Sequence, residues 1–129
     1  MAADLRSRIV VLRLAFCGAV LFAMVMASLP QPPQIPGQPS DKVQHIFAFA
    51  VLTLLAVLAY PRARRWRLFA SLAAFGALIE VVQAIPALHR DASVLDWLAD
   101  CGAVAITLGV MAVGSKVCLA LAPAPDGRS

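Results

Sequence analysis

The chain has 129 residues, of which 61% are hydrophobic and 14% charged, with a formal net charge of +4. A soluble domain carries about 25% charged residues, and a chain this short has too little interior to hide so much apolar side chain from water; the composition therefore excludes an ordinary soluble globular domain. The three cysteines (Cys17, Cys101, Cys118) are odd in number and lie in apolar runs without metal-ligand spacing, which excludes a disulfide framework or a zinc site built on them and leaves small packing residues.

Crossing a bilayer takes roughly 20 helical residues, and four stretches qualify. The first covers about residues 9–29, after a short basic segment over 1–8. Its arginines (Arg6, Arg8, Arg13) and the small residues Val25 and Ala27 also resemble a cleavable signal peptide, although the apolar run is long for one. Residues 30–39 then hold five prolines, which favour an extended polyproline-like path and exclude helix. The second span covers about residues 43–60 and ends at a short basic loop over 61–67. The third covers about residues 68–85, and the fourth about 94–121, joined by a loop from Pro86 to Ala92. The polar tail over 123–129 reads as disordered. Strands are excluded because an open sheet edge in lipid leaves backbone groups unpaired. The expected architecture is an all-α integral membrane four-helix bundle, a single domain over residues 9–122.

Four spans place the amino terminus, the 61–67 loop and the carboxyl tail on one side. That side holds Arg6, Arg8, Arg13, Arg62, Arg64, Arg65, Arg67, Lys116 and Arg128, against Lys42 and Arg90 opposite, a split of 9 to 2. The positive-inside rule then predicts both termini in the cytoplasm of a bacterial inner membrane. The arginine-rich loop reads as an anchor with some attraction to anionic lipid, not as a nucleic-acid site.

This topology gathers the polar residues at the opposite, extracytoplasmic end. Asp41, Lys42, Gln44 and His45 open the second span; Glu80 and Gln83 close the third; Ser93, Asp96 and Asp100 open the fourth; His89, Arg90 and Asp91 lie in the loop between them. At about 1.5 Å per residue, Glu80 lies roughly 7–8 Å and Asp100 roughly 9 Å inside the helix ends. An unpaired carboxylate at the centre of a membrane helix costs on the order of 2.5–3.5 kcal/mol, so such residues should face the bundle interior and find partners. Asp41 and His45 share one face of the second helix, Gly76, Glu80 and Gln83 form a stripe on the third, and Asp96, Asp100, Ala103 and Thr107 form one on the fourth. The stripes are expected to converge on an outward pocket, with Lys42, His45 and Arg90 offsetting Glu80, Asp96 and Asp100. Plainer roles exist for some of these residues. Ser93 to Asp96 fits a capping box, and Asp41 suits the first turn of a helix dipole. No cap needs a carboxylate as deep as Glu80. His45 with Asp41 is the one pairing that could hold a metal, but neither a metal site nor a cofactor is expected.

The same residues resemble the VanZ-like family of bacterial membrane proteins. The matching text is Ser28-Leu-Pro30, Asp41-Lys-Val-Gln-His45-Ile-Phe-Ala-Phe49, Gly76-Ala-Leu-Ile-Glu80-Val-Val-Gln83 and Arg90-Asp-Ala-Ser-Val-Leu-Asp96-Trp-Leu-Ala-Asp100-Cys-Gly102, over about residues 28–110. The family pattern usually has Asn where Asp100 stands, so this chain adds a negative charge. The resemblance implies a cell-envelope role, with a link to resistance to lipoglycopeptides such as teicoplanin. Three function classes follow. A binding protein would take an envelope lipid, a lipid-linked cell-wall precursor or a lipoglycopeptide, with Arg90 and Lys42 on phosphate or carboxylate and Glu80 and Gln83 on sugar or amide groups. An enzyme on such a lipid would use His45 with a carboxylate as general base, although no nucleophile elbow, HExxH or phosphate loop is present. A transporter or flippase subunit would need a homo-oligomer, since four helices are few for alternating access.

Overall fold

In a computed structural model of the chain, residues 2–30, 36–37 and 40–121 are described. Most of the proline-rich connection expected to be extended, and the tail expected to be disordered, lie outside these residues. The described chain is all-helical: α1 (Ala2–Ser28), α2 (Asp41–Ala59), α3 (Arg65–Gln83), a single 3-10 turn (Pro86–Leu88) and α4 (Val94–Leu121). Each α-helix contains a stretch long and apolar enough to cross a membrane.

The helix ends follow from local chemistry. Ser40 caps α2 by accepting from the Val43 N–H at 3.4 Å, so the helix starts at Asp41, two residues earlier than hydropathy suggests. Tyr60 precedes Pro61 and leaves the helical region (φ −127°, ψ 61°), which ends α2. A tight turn follows, closed by the Ala63 N–H on the Tyr60 carbonyl at 2.9 Å, and α3 then begins three residues earlier than expected. Ile85, extended before Pro86, separates α3 from the 3-10 turn. His89 closes that turn in the left-handed region (φ 49°).

α2 packs against all three other helices, α4 lies against α2 and α3, and α1 packs on α2 and α3. The core is thin: Phe49, Leu52 and Ala56 of α2 meet Leu72 and Ile79 of α3 and Ala103, Val104 and Leu108 of α4. Thr53, buried among them, satisfies its hydroxyl on the Phe49 carbonyl of its own helix at 2.6 Å. Around this core the outer faces stay apolar, with Leu14, Phe22, Phe47, Val81, Leu98, Ile106 and Val110 all exposed. An apolar exterior around a small apolar core fits lipid as the outer solvent.

The end with the 60–64 turn is held by two arginines. Arg13 bonds the Ala59 carbonyl at 3.3 Å and stacks over the Tyr60 ring at 5.1 Å, so the last turn of α2 gains a cation at its negative end. Arg65 reaches the Leu108 carbonyl of α4 at 2.9 Å.

Candidate functional site

At the opposite end, α2 and α4 start and α3 finishes, and four of the expected polar residues pair across helices. Lys42 of α2 meets Asp96 of α4 at 2.5 Å. His45, one turn further along α2, presents Nδ1 to both oxygens of Asp100 at 3.2 and 3.3 Å. Asp100 is wholly buried, and the His45 side chain is 12% exposed. Arg90, in the loop before α4, stands 3.8 Å from the exposed Asp41.

Glu80 works differently. Its Oε2 accepts from the Ser93 backbone N–H at 2.6 Å, and its Oε1 is buried with no hydrogen-bond partner among the described residues. The Ser93 hydroxyl in turn accepts from the Asp96 N–H at 3.4 Å. In a local capping box the third helical residue reaches back to the N-cap N–H. Here a carboxylate from α3 takes that place, which leaves Asp96 available to Lys42. One donor atom each from His45, Glu80 and Asp100 fall within 4.8 Å of one another.

Lys42 and His45 meet Asp96 and Asp100, two of the acids they were expected to offset, whereas Arg90 stands against Asp41 and not against Glu80, Asp96 or Asp100. Gln83 shares the Glu80 stripe but its side-chain amide donates to the Ala27 carbonyl of α1 at 3.3 Å. It is 97% buried there and ties α1 to the bundle by filling one of the orphan carbonyls of a helix end.

Two residues not singled out among the candidates shape the site. Trp97 donates its indole N–H to the Ala73 carbonyl at 2.9 Å, bridging α4 to α3. Gly76, expected only as a small residue of the stripe, is the floor beneath Asp100: a Cβ there would stand 3.0 Å from Asp100 Oδ2 and 3.3 Å from Phe49 and Trp97. Beside the polar cluster lies a cavity of about 270 Å³ lined by Ala77, Glu80, Ala92, Ser93, Val94 and Trp97. Buried acids, ion pairs and an apolar cavity thus share one level of the bundle.

The chain matches no protein-family model, no curated protein and no solved structure.

Proposed function

We propose that this is a multi-pass protein of the bacterial cytoplasmic membrane, with both termini inside, that holds the polar head of an amphipathic envelope lipid at its outer end. The 9-to-2 partition of basic residues supports the orientation. The observation that carries the function is that ion pairs joining α2 to α4 and to the loop before it share one end of the bundle with an apolar cavity between α3 and α4. A lipid needs both: charge for the head and a dry surface for the chain. Arg90, held to Asp41 by a long 3.8 Å contact, and the part-exposed Lys42 are the cations that exchange a carboxylate for a phosphate or carboxylate head. The residues of the site are those that resemble the VanZ-like family, so a lipid-linked cell-wall precursor or a lipoglycopeptide of the teicoplanin type belongs to the same ligand class.

Native mass spectrometry of the detergent-extracted full chain tests this reading. The expected result is a retained lipid mass that falls at least several-fold in a Lys42→Ala, Arg90→Ala double variant. Wild-type protein free of any retained lipid, or lipid equally retained by the variant, contradicts it.

A second reading, an enzyme acting on the same lipid, draws on the His45–Asp100 pair. A buried carboxylate on imidazole Nδ1 holds the ring in the tautomer that leaves Nε2 free as a base. Turnover of a bound lipid, abolished in His45→Ala, would distinguish it from stoichiometric binding.

A further inference from the structure

We infer that His45, Glu80 and Asp100 form a binding site for a borderline first-row divalent cation, with Zn²⁺ the best match. The inference stands independently of the lipid reading, because it rests on the three side chains alone.

Charge is the first argument. Lys42 is taken by Asp96, and Arg90 stands against Asp41. Glu80 and Asp100 remain, two carboxylates inside the bundle with one imidazole between them. With both acids ionised and the imidazole neutral, the three side chains carry −2 at membrane depth, and a divalent cation brings this to zero. The Glu80 carboxylate is held through Oε2 by the Ser93 N–H, but its Oε1 is buried without a hydrogen-bond partner among the described residues, a costly state for an acid at membrane depth.

Geometry is the second argument. His45 Nδ1 lies 3.2 and 3.3 Å from the two Asp100 oxygens, a hydrogen bond shared between both when the ring nitrogen carries its proton. Two ligands of one tetrahedral zinc, with bonds of about 2.0–2.1 Å, stand about 3.3 Å apart. The His45–Asp100 separation is therefore already that of two ligands of one ion. The three donor atoms lie within 4.8 Å of one another, so the longest edge closes to the zinc value by at most about 1.5 Å of side-chain movement.

Support around the ligands is the third. The Ser93 N–H fixes Glu80 through Oε2, the kind of outer hydrogen bond that orients a ligating carboxylate. Gly76 leaves room for Asp100. A hard cation such as Mg²⁺ or Ca²⁺ prefers an all-oxygen shell, whereas the imidazole nitrogen favours zinc and its neighbours in the series. Three protein ligands leave a fourth position open, and Glu80 also lines the cavity.

The test uses the full chain in detergent, stripped with EDTA and re-equilibrated with ZnCl₂ or CoCl₂ alone. Elemental analysis of the monodisperse protein should give one metal per chain, and the Co²⁺ form should show the intense visible absorption of a four-coordinate site. Glu80→Gln and His45→Ala should each weaken binding at least about tenfold. His89→Ala, the other histidine of the chain, should bind as the wild type does. Circular dichroism of each variant checks that the helices are intact, and the wild-type Co²⁺ spectrum needs no variant at all. Wild-type protein that takes up no stoichiometric metal, or binding lost in His89→Ala but kept in Glu80→Gln, overturns the inference. Native mass spectrometry of the stripped protein separates the outcomes: retained lipid without metal binding leaves the lipid reading standing and removes this one.

Discussion

Gly76 gives the Asp100 carboxylate its room. α3 and α4 approach so closely at this point that a methyl group would press on the Asp100 carboxylate, Phe49 and Trp97 together. Only one of those contacts is 3.0 Å, but it is with a buried acid already held by His45. Gly76→Ala should therefore destabilise the bundle by about 1–3 kcal/mol despite the better helix propensity of alanine. Thermal unfolding in detergent checks this, and an unchanged or raised midpoint contradicts it. The reach of the sequence is also visible at this scale. Depth alone marked Glu80 and Asp100 as residues that need partners. Which partner each takes was not legible, because pairing across helices depends on how the helices are rotated against one another, and local spacing carries no such information. His45 was equally well placed for Asp41 by spacing, and Gln83 for the stripe of Glu80. Trp97 gave little signal as one aromatic residue in an apolar run, although an indole N–H at membrane depth always needs an acceptor.

Among the elements, α1 differs from the rest. Its most apolar window has no fully buried residue, and it meets the core through the part-buried Phe16, Ala19, Val20, Ala23, Met24 and Ala27. Polar contacts add to this packing on either side of it: Arg13 on Ala59 and Tyr60, and Gln83 on Ala27. Gln83→Ala removes one of these and strands the Ala27 carbonyl. The expected cost is about 1 kcal/mol, read as faster amide exchange in the last turn of α1 with exchange in α3 and α4 unchanged. Uniform exchange across all four helices would show that α1 is held by something else. The four spans themselves were readable because each is an apolar run of sufficient length. The fourth runs over 94–121 as expected, but the starts of α2 and α3 were not legible, because Asp41 and Arg65 lower the local hydropathy while Ser40 and the turn after Pro61 extend the helices outward.

The whole molecule has two unlike ends. One carries the arginines that bind backbone carbonyls, at Ala59 and Leu108, and most of the basic residues. The other carries His45, Glu80 and Asp100 with two cross-element ion pairs. We propose that this second end is the working end and opens away from the cytoplasm. Substituted-cysteine labelling tests it most directly. Cys17, Cys101 and Cys118 are first replaced by serine or alanine, and single cysteines are introduced by Asp41→Cys at one end and Pro61→Cys at the other, both at exposed positions. On intact cells a membrane-impermeant maleimide should label the Asp41→Cys protein, and the Pro61→Cys protein only after lysis. Labelling of the Pro61→Cys protein on intact cells, with the Asp41→Cys protein protected until lysis, would contradict the account.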